Sequence, residues 1–450
     1  MMTSQPKTSG SLKQRIVSGS AWTIFGFGVG QIIRLASNLI MTRLLLPEAF
    51  GLMAIATSIY VLLGMLTDFG VNASIVRSKA SEQPEFLSTA WTLQIGRNLI
   101  IAMILALVSF GILLIQQNNG FNTQTVYADP RLASFLWLIC IAIVIEAFRS
   151  IKMPIAQRNM DLKPLIILEI SAQLVAVATM IAAVNFGAGV YSLVIGMIAS
   201  AITSTAGSFL ILKGPGSEIG FNRTHFFEIF NYGKWLLLAS FFGFIATKGN
   251  QVLFGFWFEK TAFSFFVIAT IWITAVESIA ASILQRIAYP AFSEIFREDK
   301  SRLTKTYETF RLAADAACVL IFFSVFLLSD FIFGIVYTDE YAGVATYVKL
   351  LSLLILFLPY RLLNTVLLAA GDSRRFTVIS LMPSLALLIL TPFMFFTYGE
   401  KPAIIFVALL QVFALPFIWK YTSKLVNLTP WRESLTAGAA ILSGILMLLY

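Results

Sequence analysis

Long apolar segments alternate with short polar segments along almost the whole chain. A helix needs about 20 mostly apolar residues to cross the hydrocarbon core of a bilayer. We predict twelve transmembrane helices, numbered 1 to 12 in chain order, at residues 20–45, 49–70, 90–115, 132–150, 164–185, 189–212, 233–257, 261–287, 310–336, 344–369, 376–397 and 402–422. A thirteenth apolar segment begins near residue 435, so we expect one or two more helices to continue beyond Tyr450.

The lysines and arginines between these segments have an uneven distribution that predicts the orientation of the chain. Almost all of them lie in the N-terminal segment and in the second, fourth and later even-numbered connections between predicted helices. Basic residues accumulate in cytoplasmic loops of membrane proteins. The pattern therefore predicts a cytoplasmic N-terminus and assigns the first, third and later odd-numbered connections to the outer side.

An internal repeat relates the two halves of the chain. A shift of 213 residues matches eight identical residues between positions 22 and 57 and the corresponding later positions, among them Trp22 with Trp235 and Gly30 with Gly243. The same shift superposes helix 1 on helix 7 and helix 2 on helix 8. Six helices separate the copies, so both copies have the same orientation, as in transporters built from two parallel halves.

Composition supports a membrane protein and narrows its class. Hydrophobic residues make up 58% of the 450 residues and charged residues only 12%, against roughly 25% charged residues in soluble domains. We predict an all-α, polytopic membrane protein with 12 or more transmembrane helices in two pseudo-symmetric six-helix bundles. The predicted boundaries are 1–212 for the first bundle, 213–232 for a cytoplasmic linker, 233–423 for the second bundle and 424–450 for the start of an extra helix.

Residues that carry enzyme chemistry are scarce. The only histidine is His225, so the chain lacks the residues that a histidine-rich metal cluster or a histidine-based catalytic triad needs. Cys140 and Cys318 lie inside apolar segments, where a free thiol packs as a small side chain. We expect no enzymatic activity, no metal and no cofactor. The net charge of +9 does not indicate nucleic-acid binding, because the basic residues follow the membrane topology.

Polar side chains form stripes inside three of the predicted helices. In helix 1 the stripe has the spacing i, i+3, i+7 and i+11, which places its members on one helix face. Polar groups avoid lipid, so we expect the stripes to face a wet cavity shared by the two bundles. The stripes are Gln31, Arg34, Asn38 and Thr42 in helix 1, Ser240, Thr247, Lys248, Asn250 and Gln251 in helix 7, and Thr270, Thr274 and Glu277 in helix 8.

Two cations in these stripes lie at a similar predicted depth. Arg34 is 13 residues before Pro47 and Lys248 is 11 residues before Glu259, which at about 1.5 Å per residue is a difference of about 3 Å. Two cations that face one cavity repel each other unless an anion lies between them. An arginine fork and a lysine ammonium both suit phosphate oxygens. We therefore predict a phosphate-containing substrate at Arg34 and Lys248, with Gln31, Asn38, Asn250 and Gln251 lining its path.

Three further ionisable groups lie inside the predicted spans, and two of them have more than one possible role. Arg97 in helix 3 is expected to pair with Asp68 for structural reasons, and it is otherwise a second-rank substrate ligand. Arg361 in helix 10 is also a second-rank substrate ligand. Glu277 either pairs with one of the two principal cations or carries a coupling proton.

Four segments resemble those of a known family. The segments "RLLLPEAFGLMAIATSI", "LTDFGVNASIVRS", "PIAQRNMDLKPLIILEISAQ" and "LLAAGDSRRF" occur in order and are similar to signatures of bacterial polysaccharide-export flippases of the Wzx type. These flippases belong to the multidrug/oligosaccharidyl-lipid/polysaccharide superfamily. The resemblance implies two six-helix bundles, often with two extra C-terminal helices, and a cationic cavity.

The same resemblance implies an activity and a location. The expected activity is movement of an undecaprenyl-pyrophosphate-linked oligosaccharide from the cytoplasmic to the periplasmic leaflet of the bacterial inner membrane by alternating access, with a polysaccharide polymerase and export proteins as further partners. One alternative is a drug/cation antiporter of the same superfamily, which favours an acidic cavity. Alternatives of other classes are a membrane polysaccharide polymerase or glycosyltransferase, which needs larger outer loops than these, and a non-catalytic scaffold.

Overall fold

The computed structural model describes residues 12–78, 80, 83–118, 120–428 and 430–449, and these residues form helices and connecting turns without a β-strand. Eighteen α-helices are present in this part of the chain. They divide into two compact units. The first comprises the described parts of Met1–Leu45, Ala56–Thr123 and Ala128–Phe241, and the second comprises those of Leu46–Ile55, Gln124–Tyr127 and Phe242–Tyr450.

The first unit contains helices from the N-terminal half of the chain. Two of the boundaries between the units fall inside helices, namely α2 and α9, and each of these helices contributes residues to both units. The helices are α1 Leu12–Thr42, α2 Pro47–Leu66, α3 Val71–Arg77, α4 Pro84–Gln117, α5 Arg131–Ala147, α6 Lys152–Arg158, α7 Leu162–Asn185, α8 Ser192–Leu210 and α9 Arg223–Trp257.

The second unit contains the remaining helices and two interrupted segments. A π-helical stretch, Leu284–Ala288, joins α10 to α11, and 3-10 stretches interrupt two later spans. The helices are α10 Lys260–Ile283, α11 Tyr289–Glu298, α12 Leu303–Val336, α13 Val344–Ser352, α14 Arg361–Ala369, α15 Ser373–Tyr398, α16 Glu400–Ala408, α17 Leu415–Thr422 and α18 Pro430–Leu449.

The predicted membrane segments are helical in the structure. Within the described residues, nine helices are long and apolar enough to cross a membrane, and two bent pairs raise that number to eleven if each pair is one span. Helix 7 of the prediction is part of the longer α9, and the apolar segment near residue 435 is α18. The fold is therefore the all-α, multi-pass membrane architecture that the hydrophobic pattern predicts.

Two predicted helices are broken in ways that the pattern does not show. Predicted helix 10 consists of α13, a 3-10 segment at Leu353–Tyr360 and α14. Pro359 lies in the 3-10 segment and cannot donate a backbone hydrogen bond, so it disfavours a continuous α-helix. Predicted helix 12 bends by 43° between α16 and the segment that begins at Leu410. The chain also bends by 62° between α5 and α6.

A small apolar core joins several helices of the first unit. Phe86 and Trp91 of α4 pack with residues of α3, α6 and α9, including Ile75, Ile151 and Ile229. The indole N–H of Trp91 donates to the carbonyl oxygen of Arg149 over 3.2 Å. These contacts hold the short helices α3 and α6, which are too short to be stable alone.

The connection between α8 and α9 is bound to α4. The backbone N–H of Gly220 donates to Thr92 Oγ1, and that of Asn222 donates to Thr89 Oγ1, each over 3.0 Å. A Cβ atom at Gly220 would lie 2.6 Å from the hydroxyl oxygen of Ser88, so only glycine fits this approach without a shift. This part of the predicted linker is therefore a docked segment of the first unit.

The two cysteines behave as predicted from their apolar surroundings. Cys140 and Cys318 are both buried and both are free thiols. Elsewhere, large apolar side chains are exposed on many helices, for example Leu327 of α12 and Phe396 of α15. Exposed side chains of this kind suit contact with lipid tails, which need no polar surface.

Candidate functional site

Arg34 of α1 keeps its charge unpaired with respect to the described part of the chain. Its side chain is exposed and forms no ion pair or hydrogen bond with any described residue. Asn38, one turn further along α1, is buried, and Gln31 is half-buried. The hydroxyl of Thr42 donates to the carbonyl oxygen of Leu39 over 3.0 Å. The stripe thus contains one charged group that remains available to a ligand.

Lys248 of α9 has a neutral partner on its own helix. Its ammonium group donates to Gln251 Oε1 over 3.0 Å, and the side chain is half-buried. Gln251 is buried, and its backbone N–H donates to Asn250 Oδ1 over 2.8 Å. The hydroxyl of Thr247 donates to the carbonyl of Gly243. An amide oxygen does not neutralise an ammonium charge, so Lys248, like Arg34, has no counter-ion among the described residues.

No carboxylate in the described residues forms an ion pair with Arg34 or Lys248. Intramembrane cations are costly and usually pair with an acid or serve a pathway. Neither cation has a carboxylate partner within the described chain, and this favours a role in binding an anion. No group of three or more His, Cys, Asp or Glu residues in the same part of the chain is arranged to hold a metal ion.

Glu277 and Arg361 form an ion pair inside the second unit. Arg361 Nη2 lies 2.8 Å from Glu277 Oε1, and the two side chains are 36% and 26% exposed. Arg361 is the first residue of α14, directly after the 3-10 segment, and Glu277 is on α10. The pair thus joins the broken span to its neighbour. It also gives Glu277 a partner other than the two principal cations considered from the sequence.

We expect this ion pair to show measurable energetic coupling. The variants Glu277→Ala and Arg361→Ala should each lower the free energy of unfolding in detergent, and the double variant should cost less than their sum. The expected coupling is about 0.5–2 kcal/mol, since contacting charges are non-additive over this range. The same cycle on Glu277 and Lys305, for which no contact is present, is the control. If the effects of the two single substitutions simply add in both cycles, Glu277 and Arg361 are not bonded to each other.

Arg97 of α4 binds the end of α2 and not Asp68. Its Nη2 donates to the carbonyl oxygen of Gly64 over 2.7 Å, and its Nε donates to Thr67 Oγ1 over 3.3 Å. Asp68 instead accepts the backbone N–H of Gly70 over 3.0 Å. The expected Arg97–Asp68 pair is wrong because the last carbonyls of a helix lack intrahelical donors and compete for the arginine.

A buried polar network in the second unit was not singled out from the sequence. Arg311 of α12 is 5% exposed and Glu433 of α18 is 4% exposed. Arg311 Nε lies 3.1 Å from Asp315 Oδ2, and its Nη2 lies 3.6 Å from Glu433 Oε2. The hydroxyl of Tyr307 donates to Glu433 Oε1 over 2.8 Å. This network ties α18 to α12 through charges removed from solvent.

Further groups complete the network around Arg311. The guanidinium lies over the ring of Tyr360, 4.1 Å from its centroid, and Nη2 donates to Thr436 Oγ1 over 3.2 Å. The hydroxyl of Tyr360 donates to the backbone carbonyl of Glu433. The spacing of Arg311 and Asp315, i and i+4, is a signal of such a pair. Both residues lie at the start of predicted helix 9, next to a charged connecting segment, so the sequence does not distinguish this buried pair from a solvated one.

Comparison with known proteins identifies the family. The model of a family described as polysaccharide biosynthesis protein matches residues 40–346. The chain belongs to the polysaccharide biosynthesis protein family. This finding confirms the resemblance to Wzx-type flippases, three of whose four motif segments lie within the matched residues.

Curated relatives of this polysaccharide biosynthesis protein are distant. The lipopolysaccharide biosynthesis protein WzxC of Escherichia coli (strain K12) is 22% identical over 247 residues, which cover 53% of this chain and 46% of that protein. The succinoglycan biosynthesis transport protein ExoT of Rhizobium meliloti (strain 1021) is 21% identical over 265 residues, covering 58% of this chain and 51% of that protein. The matched region thus spans about half the length of these relatives.

Solved structures share the fold of this polysaccharide biosynthesis protein. The lipid II flippase MurJ in an inward closed conformation has a TM-score of 0.68 at 15% identity, with 96% of this chain and 97% of that chain covered. An inward-facing multidrug resistance MATE transporter of the MOP superfamily has a TM-score of 0.58 at 12% identity, with 88% and 98% covered. At these identities the likeness establishes the fold alone.

Proposed function

We propose that this protein is a flippase that moves a lipid-pyrophosphate-linked oligosaccharide from the cytoplasmic to the periplasmic leaflet of a bacterial inner membrane by alternating access. The single observation that carries the proposal is the pair of intramembrane cations, Arg34 and Lys248, neither of which has a carboxylate partner among the described residues. The proposal includes the predicted orientation with a cytoplasmic N-terminus.

The diphosphate is the part of the substrate that these cations bind. Arg34 presents a planar fork to two phosphate oxygens, and Lys248 supplies a compact charge. In a site of low dielectric, an unneutralised cation gains more from an arriving anion than it would in water. Lys248 must exchange its hydrogen bond to Gln251 for one to phosphate, and this exchange replaces a neutral acceptor by a charged one.

The sugar and the lipid place different demands on the protein. Hydroxyl-rich sugars need donors and acceptors, which Gln31, Asn38, Asn250 and Gln251 provide, whereas the polyprenyl chain remains in the bilayer. Arg97 and Arg361 are second-rank ligands in this proposal. Arg97 is held by Gly64 and Thr67, and Arg361 is held by Glu277, so each would first have to leave a protein partner.

The energy source and the partners are parts of the same proposal. Protonation of Glu277 would remove its charge and release Arg361, which makes Glu277 the candidate for coupling to a proton gradient. Removal of product by a periplasmic polymerase is the alternative source of direction. Family membership and the names of the relatives support a role in polysaccharide export.

A reconstituted system tests this function directly. The purified chain is placed in liposomes that contain a fluorescent polyprenyl-pyrophosphate-linked oligosaccharide, and the fraction reached by an external quencher is followed in time. We expect protein-dependent translocation, and much slower translocation of the same polyprenol carrying a neutral head. Translocation of cationic dyes alone, or transfer of sugar to an acceptor, would overturn the proposal in favour of an antiporter or a glycosyltransferase.

A further inference from the structure

The second unit contains a pocket that the flippase proposal does not use, with both apolar and charged side chains in its lining. It has a volume of 460 Å³, within the range of small-ligand sites, which is about 300–1,000 Å³. Its lining includes Tyr347 of α13, Tyr398 at the end of α15, and Glu400 and Lys401 at the start of α16. The pocket therefore combines two aromatic rings with one acidic and one basic side chain.

The backbone at this site makes a tight turn that places these groups together. Gly399 joins α15 to α16 with φ +90°, a conformation that residues with a Cβ atom rarely adopt. Tyr398 and Glu400 flank this glycine and both line the pocket. The hydroxyl of Tyr347 donates to Glu400 Oε1, which fixes the carboxylate and leaves its second oxygen for a ligand.

The charges around the pocket suit a ligand that carries a cationic group next to an anionic group. Glu259, directly before α10, is near enough for its charge to act on both Tyr347 and Glu400. Two carboxylates and two tyrosine rings attract an ammonium group, since ring faces bind cations as well. Lys401 is exposed and forms no ion pair with the described residues, so its ammonium group is available to a phosphate.

The surface next to the pocket is apolar. Tyr398 is 61% exposed and packs edge-to-face on Phe393, with 6.4 Å between ring centroids. Phe393 and Phe396 are also exposed on the same end of α15. Aromatic side chains accumulate where membrane helices meet the headgroup layer. The charge distribution of the loops assigns this end of α15 to the outer leaflet.

We propose that this pocket binds the headgroup of a zwitterionic aminophospholipid. The ammonium group lies against Glu400 and the rings of Tyr347 and Tyr398, the phosphate lies against Lys401, and the acyl chains lie along Phe393 and Phe396. A saccharide would also stack on tyrosine rings, but it needs neither the paired charges nor the apolar surface. This site is independent of the diphosphate site and requires no export substrate.

Native mass spectrometry of the purified full chain in detergent tests the proposal. The protein is mixed with phosphatidylethanolamine or phosphatidylglycerol of identical acyl chains. We expect at least about fivefold greater retention of the ethanolamine lipid, because only this headgroup brings a cation to Glu400. Glu400→Gln, which keeps the shape and still accepts from Tyr347, should abolish that preference. Lys401→Gln should weaken retention of both lipids.

Matched variants separate binding from folding. Glu340→Gln removes an exposed carboxylate just before α13, outside the pocket lining, and should leave the preference unchanged. If Glu400→Gln lowers the unfolding temperature, Tyr398→Leu at an exposed position is the second variant, with the same expected loss of preference. Equal retention of both lipids by the unaltered protein, an unchanged preference in Glu400→Gln, or displacement of the lipid by a neutral oligosaccharide would overturn the proposal.

Discussion

Replacing Arg34 by alanine is expected to reduce translocation of the lipid-linked oligosaccharide on the order of 100-fold, because losing a charge-assisted bond to a desolvated phosphate costs about 2–4 kcal/mol. The fold should survive, since Arg34 is exposed and forms no hydrogen bond or ion pair with a described residue. The measurement is the initial rate in the liposome assay, divided by the amount of folded protein. Arg34→Lys should retain part of the rate, because the charge remains and the fork is lost.

The controls for this prediction separate a local effect from a general effect of charge. Arg43→Ala removes an arginine just beyond the C-terminal end of α1 and should change the rate by less than about twofold, since surface substitutions are usually mild. Lys248→Gln should also impair translocation, because it removes the second charge while retaining a polar side chain. Unimpaired translocation by both Arg34→Ala and Lys248→Gln would contradict the assignment of the diphosphate site.

Replacing Arg311 by alanine is expected to lower the free energy of unfolding by about 3–5 kcal/mol, the usual cost of leaving a buried partner charge uncompensated. The variant leaves the carboxylate of Glu433 in a buried environment without its guanidinium and removes the contact with the ring of Tyr360. Reversible unfolding in micelles measures the loss. Proteolysis should also detect release of α18, since the network joins this helix to α12.

A more exposed ion pair in the same unit is the control for Arg311. Lys349 bonds to Asp330, whose side chain is 68% exposed, so Asp330→Asn should cost only about 0–1 kcal/mol. The double variant Arg311→Met/Glu433→Gln should be more stable than Arg311→Ala, because it leaves no unpaired buried charge at these two positions. Similar losses for Arg311→Ala and Asp330→Asn would show that the buried network contributes little to stability.

The apolar pattern predicted the membrane helices well because each span has to hide its own backbone from lipid. The pattern did not predict the break in predicted helix 10 at Leu353–Tyr360, because every residue from Leu353 to Pro359 is apolar and the segment looks like any other span. Pro359 is visible in the sequence, but a proline alone does not distinguish a kink from eight residues of 3-10 helix. Local helix geometry depends on packing, which composition does not describe.

Partners of charged side chains were harder to predict than their positions. The sequence placed Arg34, Lys248 and Glu277 on helices, and in the structure they lie on α1, α9 and α10. The distance between Arg361 and Glu277 depends on how α10 packs against α14, and the network around Arg311 depends on where α18 returns to the bundle. The bonds from Arg361 to Glu277 and from Arg311 to Thr436 join residues 84 and 125 positions apart in the chain, so these two contacts leave no local signal.

The 3-10 segment before Arg361 sets the position of α14 along its own axis. A 3-10 helix rises about 2.0 Å per residue and an α-helix about 1.5 Å, so eight residues differ in length by about 4 Å between the two forms. Rewinding Leu353–Tyr360 into an α-helix would draw the start of α14 along its own axis by about three-quarters of a helical turn. The 3-10 form therefore keeps α14 about 4 Å further along its axis than an α-helix would. The bond from Arg361 to Glu277 would oppose a shift of α14 back by this distance.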